Sequence, residues 1–135
     1  GNRMSGKPDE NKAASQVKKI LIVEDSFANR DMLTRRLQRR GFLVCGAADG
    51  ATGVAMSLSE RPDLILMDVV MPGQNGFQVT RAITRDPRFA DLPVIMCTSK
   101  NQETDRVWAM RQGAKDYVTK PVDAELLMSK IRSLS

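Results

Sequence analysis

Four short stretches of the chain carry residue types that could do chemistry together. Glu24 and Asp25 stand side by side after the apolar run of "ILIVEDS". Asp68 ends a second run, "LILMD", and is followed by "VVMPGQNG". Thr98 and Ser99 end a third, "VIMCTS", and Thr119 and Lys120 lie in "DYVTKPV". Adjacent acids repel: at about 4 Å and an effective dielectric of about 20, two like charges cost roughly 4 kcal/mol. Three converging carboxylates without a cation would be partly protonated or strained. A divalent metal resolves this, and ligands that are all oxygen favour Mg²⁺ or Mn²⁺ over zinc. Lys120 adds a point charge suited to phosphate oxygens or a carboxylate partner. The Thr98 hydroxyl can donate to an oxyanion. Acids, metal, ammonium and hydroxyl suit phosphoryl transfer, where catalysis is mostly positioning and charge stabilisation. One acid must then be the acceptor. Asp68 is the candidate, alone at the end of a central strand and followed by a loop whose Pro and Gly let backbone approach a ligand closely.

Positioning these groups requires a frame. Continuous apolar runs at Ile20–Val23, Leu64–Met67 and Val94–Cys97, with weaker ones at Phe42–Cys45 and Tyr117–Val118, suit strands buried on both faces. Helical stretches alternate with them. Ser26 caps the first, which carries Met32, Leu33 and Leu37 and stops at Gly41. The others are expected at about 51–59, 76–85 and 103–112, and from Pro121 and Asp123 onward with Leu127, Ile131 and Leu134. Five β-α units imply an α/β fold, a three-layer, doubly wound, five-stranded parallel sheet. Ligands of such sheets bind beyond the carboxyl ends of the strands, where all four chemical stretches end. The second strand offers only Ala47 and Ala48 there, which makes it peripheral.

Composition narrows the function. The 135 residues fit one domain, and their apolar fraction of 41% supports a core. No run approaches the ~20 apolar residues of a membrane span, and no secretory signal opens the chain, so a cytoplasmic protein is expected. Cys45 and Cys97 read as small core hydrophobes in a reducing compartment. Histidine is absent, which excludes Ser-His-Asp and Cys-His catalysis and His-ligated metals. The net charge of +5 does not point to nucleic acid. Residues 1–19 hold five cations against two acids, and no basic motif with interleaved aromatics appears. Residues 1–17 read as a disordered leader, with Gly1–Arg3 a tag remnant, and residues 18–135 as the domain.

Taken in order, "ILIVEDS", "LILMDVVMPGQNGF", "PVIMCTSK" and "GAKDYVTKPV" resemble the receiver domain of two-component response regulators. The separations also resemble the family's: 43 residues from Asp25 to Asp68, 30 on to Thr98 and 22 on to Lys120. The resemblance implies the flavodoxin-like strand order 2-1-3-4-5. It makes Asp68 the phosphoacceptor, attacking phosphohistidine on a histidine kinase or a phosphotransfer domain. Glu24 and Asp25 become the acidic pair that holds Mg²⁺, with Asp68 and the Val70 backbone carbonyl as further ligands. Asp25 is then the direct ligand, and the longer arm of Glu24 reaches metal through water. Thr98 becomes the switch hydroxyl, Lys120 the phosphoryl-contacting lysine and Tyr117 the aromatic that swings inward. The Lys120–Pro121 bond resembles one that is cis in the family. Ser99 stands where Ala or Gly is common. Val70 and Lys100 occupy positions that tune phosphoryl lifetime, and an apolar Val70 offers nothing to orient water, so slow self-hydrolysis is expected. The stretch from Thr98 to Asp123 is similar to single-domain regulators of type IV pilus twitching motility.

The resemblance implies a phosphorylation switch that catalyses only its own modification, a monomer or weak dimer whose output passes to a separate protein. A phosphate sink and a phosphorylation-independent binding module are the alternatives. A phosphatase of the aspartyl-nucleophile kind would need a second acid two residues past Asp68, where Val70 stands. A flavin carrier would need a hydroxyl- and Gly-rich loop after the first strand, where "EDSFANR" is acidic. Arg30, Arg35, Arg36, Arg39 and Arg40 read as a solvated helix face, or, more sharply, as a surface that steers an acidic kinase. Trp108, near Val107 and Met110, reads as packing rather than a partner contact.

Overall fold

The computed structural model describes residues 17–71, 74–98 and 103–134. Five strands form one parallel sheet: β1 (Lys19–Val23), β2 (Leu43–Ala47), β3 (Leu64–Asp68), β4 (Val94–Thr98) and β5 (Asp116–Thr119). Their spatial order is β2-β1-β3-β4-β5, as the resemblance implies. Every pairing is parallel, with Val23 opposite both Ala47 and Met67, Asp68 opposite Cys97 and Thr98 opposite Thr119. The helices are α1 (Phe27–Arg39), α2 (Gly50–Ser59), α3 (Gly76–Thr84), α4 (Glu103–Arg111) and α5 (Ala124–Ser133).

Strand residues alternate between two cores. Leu21, Val23, Ile65, Met67, Val94 and Met96 face one side with Val79, Ile83 and Ala109 from α3 and α4. Ile20, Ile22, Leu64, Leu66, Ile95 and Cys97 face the other with Leu33 and Leu37 of α1 and Leu127 and Ile131 of α5. β1, β3 and β4 sit inside the sheet and bury both faces, which is why their sequences are continuous apolar runs and not alternating ones. β2 lies at an edge, and Leu43 there is exposed.

Local signals start and stop the helices. Ser26 Oγ accepts from the Asn29 amide, Asn75 Oδ1 from Phe77 and Gln78, and Asp123 Oδ1 from Glu125 and Leu126. Gly41 and Gly113 follow α1 and α4 at φ +95°, a region that disfavours a side chain. Two features go beyond the alternating pattern. A two-residue antiparallel pair, Val70–Met71 with Gln74–Asn75, fills part of the Pro/Gly-rich loop, and a 3-10 turn spans Pro87–Phe89. Elements this short carry no periodicity to read. Val17, assigned to the leader by composition, is buried with the α1/α5 core. The Lys18 and Lys19 amides, next in the chain, donate to Asp63 Oδ2 at 2.9 and 3.0 Å. The rest of the expected leader, residues 1–16, lies outside the described residues, as do Ser99 and Lys100.

Candidate functional site

The sheet reverses direction of winding between β1 and β3, and both strands aim acids out of their carboxyl ends there. The β1 end delivers Glu24 and Asp25, and β3 ends on Asp68. One carboxylate oxygen from each of Glu24, Asp25 and Asp68 lies within 4.8 Å of the others. Glu24 and Asp68 are buried, at 3% and 4% exposure, while Asp25 faces solvent. Lys120, just past β5, bridges the two buried acids: Nζ is 2.7 Å from Asp68 Oδ1 and 3.1 Å from Glu24 Oε1. The Lys120 amide donates to the Thr98 carbonyl at 2.6 Å, which locks the ends of β4 and β5 together. Thr98 itself is buried, at 1% exposure.

The electrostatics follow from burial and pairing. Burial pushes the Glu24 carboxyl above its usual range, and the Ser26 amide and Lys120 offset only part of that. Burial works against the Lys120 ammonium as well, but its hydrogen bonds to Asp68 and Glu24 outweigh it and hold its pKa above the ordinary lysine value. Lys120 pairs with two of the three carboxylates and leaves Asp25 without the ammonium. The donor set is all oxygen, with one exposed acid on the open side, which fits a hard divalent cation such as Mg²⁺.

Other expected residues take these positions. The Lys120–Pro121 peptide bond is cis. Tyr117 is half-buried in β5, packed against the α3/α4 core, with Lys130 Nζ 5.5 Å from its ring centroid. Val70 begins the short antiparallel pair two residues past Asp68. Gly76 serves packing: a Cβ there would fall 1.9 Å from the Asp68 carbonyl oxygen, and its amide donates to the Val69 carbonyl at 2.7 Å. The glycine lets α3 start against the strand end that carries Asp68.

Arg30 is a site residue that reading α1 as a basic face does not reveal. Its Nη1 donates to the Glu24 carbonyl at 2.5 Å, and its aliphatic stem crosses Gly46 of β2, where a Cβ would meet Arg30 Cδ at 2.9 Å. Phe27, 71% exposed, has its ring centroid 5.6 Å from the same guanidinium. A glycine in an edge strand opposite an arginine one helical turn past an acid pair was the available signal.

A family model for the response regulator receiver domain matches residues 20–132. The chain belongs to the response regulator receiver family. It is 51% identical to protein PilH of Pseudomonas aeruginosa over 116 residues, covering 86% of this chain and 96% of PilH. It is 39% identical to the response regulator PleD of Caulobacter vibrioides over 117 residues, but these make up only 26% of PleD. Among solved structures of receivers, Vibrio cholerae chemotaxis protein CheY4 matches with a TM-score of 0.81 at 29% identity, over 88% of this chain and 99% of CheY4. The receiver domain of a histidine kinase from Syntrophus aciditrophicus matches at 0.78 and 33% identity, over 87% and 89% of the two chains. The sheet order is therefore that of a receiver fold.

Proposed function

We propose that this receiver is a stand-alone response regulator that accepts a phosphoryl group on Asp68. The observation that carries it is the buried Asp68 carboxylate, held at 2.7 Å by Lys120 within reach of Glu24 and Asp25 at the switch point of the sheet. An Asp68 oxygen attacks the phosphorus of phosphohistidine on a histidine kinase or phosphotransfer domain. The P–O bond forms as the P–N bond breaks, and the imidazole leaves with its electron pair. Asp25, Asp68 and the Val70 carbonyl would hold Mg²⁺, with Glu24 supporting them, and the metal would offset charge on the transferring phosphoryl group. Lys120 follows the transferred oxygens, and the Thr98 hydroxyl donates to one of them. Tyr117 then moves inward, and the altered surface of α4, β5 and α5 is read by a separate output protein, a local charge change biasing a two-state element. The similarity to PilH supports a pathway of type IV pilus or chemotaxis-like motility. The protein acts in the cytoplasm as a monomer or weak dimer, without nucleic acid or membrane partners. Among the described residues no helix is long and apolar enough to cross a membrane. Residues 18–135 act as the receiver, with Val17 packed against its core.

The test is mass measurement after incubation with Mg²⁺ and a small phosphodonor. A gain of one phosphoryl group, absent in Asp68→Asn, is expected. No gain with any donor or kinase overturns the reading.

A further inference from the structure

The arginines of α1 do not form one surface. Arg35 pairs with Asp31 on the same helix, and Arg39 faces solvent. Arg30 and Arg36 are half-buried and donate to backbone carbonyls outside the helix. Arg30 Nη1 lies 2.5 Å from the Glu24 carbonyl oxygen, and Arg36 Nη1 lies 3.0 Å from that of Val122. The six positions between them amount to about 9 Å along the helix axis and about 120° around it. The two side chains therefore reach different neighbours. Arg30 lies against Gly46 of the edge strand β2, and Arg36 reaches the turn that leads into α5. Arg40, the C-cap of α1, pairs with Glu125 in the first turn of α5 and fastens the same two helices.

Both carbonyls belong to segments that carry site residues. The Glu24 carbonyl is part of the peptide unit that joins the two adjacent acids, and the Glu24 amide donates to the Ala47 carbonyl at 3.0 Å. β2 and α1 together thus fix the direction in which Asp25 leaves β1. Val122 lies two residues past Lys120, in a turn where Pro121 has no amide hydrogen to give. The turn is held at its start by the Lys120 amide on the Thr98 carbonyl at 2.6 Å. At its far end the Val122 side chain is buried in the α1/α5 core, and its carbonyl needs a donor, which Arg36 supplies. Compensation of the helix dipole accounts for cations in the last turn of α1. It does not require Arg36 to meet one carbonyl 86 residues away in the chain.

We propose that Arg30 and Arg36 are positioning residues that make α1 a two-point brace of the site: Arg30 sets the acid pair through the Glu24 carbonyl, and Arg36 sets Lys120 through the Val122 carbonyl. The brace rests on the reading of Asp68 as phosphoacceptor only for its effect on rate. The full chain is compared with Arg30→Met, Arg36→Met, Arg36→Gln, Arg36→Lys and Arg39→Met in three measurements. The first uses neither metal nor phosphodonor: acylation of Lys120 Nζ by an amine reagent, read by peptide mass against exposed Lys115 in the same sample. Arg36→Met and Arg36→Gln should raise Lys120 labelling about fivefold, the equivalent of one lost hydrogen bond. Arg36→Lys, which keeps a donor, should fall in between, and Arg39→Met should match the native chain. The second is Mg²⁺ affinity by calorimetry, which Arg30→Met should weaken about fivefold and Arg36→Met should not weaken. The third is the rate of mass gain at Asp68 at saturating Mg²⁺, which Arg36→Met should slow about fivefold. A merely structural role would lower affinity and rate together in both variants, in step with their melting temperatures. Native Lys120 labelling in whichever of Arg36→Met and Arg36→Gln folds overturns the proposal. So does equal loss of Mg²⁺ affinity in Arg30→Met and Arg36→Met, or an Arg39→Met variant that behaves like Arg36→Met. A native chain that gains no phosphoryl group overturns the phosphoacceptor reading, and the labelling decides the brace without it.

Discussion

At the scale of the residue, Lys120 holds two buried carboxylates that repel each other. Removing the ammonium leaves both without their charge partner, and breaking a buried pair costs about 3–5 kcal/mol. Lys120 is a quarter exposed, so Lys120→Met should fall toward the lower end or below, with denaturant unfolding as the measurement. An unchanged midpoint would mean that solvent already satisfies the acids. Glu24 gives a pH signature. Its folded pKa is raised above 4.5, so the associated stability is fully present below that value and is lost as pH rises through the folded pKa. Glu24→Gln lacks this loss. Its melting temperature relative to the native protein should therefore climb as pH goes from about 4 to about 7 without metal. A flat difference would contradict the burial effect. Arg30→Met removes the hydrogen bond that fixes the Glu24 carbonyl, and one such bond is worth about 1 kcal/mol. Mg²⁺ binding followed by calorimetry should weaken about fivefold, with Arg30→Lys in between.

At the scale of the element, the two cysteines report where their strands lie. Cys97 is in the interior strand β4, and burial pushes its thiol up to about 12. Cys45 is in the edge strand β2 and half-buried, raised by burial as well. Alkylation of the native protein at about pH 8 should mark Cys45 slowly and leave Cys97 unmodified, read by peptide mass. Equal labelling would place β4 nearer solvent than its burial indicates. α1 and α5 are joined through Arg36 to the Val122 carbonyl and Arg40 to Glu125. Charge reversal at Arg36 and Arg40 would thus disturb that contact along with any steering of a kinase, and exposed Arg39 is the cleaner probe of steering. Gly76→Ala should destabilise by roughly 2 kcal/mol or more, because the clash is with backbone at the Asp68 strand end and no side chain can yield.

At the scale of the whole molecule, a metal held by the proposed site would couple to global stability. A ligand that binds only the folded state at 100 times its dissociation constant stabilises it by about 2.7 kcal/mol. Mg²⁺ should raise the melting temperature, and Asp25→Asn should abolish the shift while leaving the metal-free fold intact, since Asp25 is exposed. A shift retained in Asp25→Asn would remove that residue from the metal site. The charge of the molecule is also redistributed by folding. Five arginines of α1 and its C-cap look like the basic surface in the sequence, yet Arg35 and Arg40 pair with acids and Arg30 and Arg36 bond backbone carbonyls.

The strands, the helices, their caps and the acids at the strand ends were legible because each is a local pattern: an apolar run, a capping residue, a stop glycine. Glu24, Asp25, Asp68 and Lys120 could be named from order and spacing, since a parallel sheet sends every strand's carboxyl end to one side. Their separation, the bridge through Lys120 and the contrast between buried Glu24 and exposed Asp25 were not legible, because these depend on which strands are neighbours. The roles of Arg30, Arg36, Gly46 and Gly76 join residues from different elements. The sequence by itself determined the fold class and which residues gather at the sheet's end. Tertiary structure alone decided which charges are buried, paired or free, because pairing and desolvation are properties of neighbours in space.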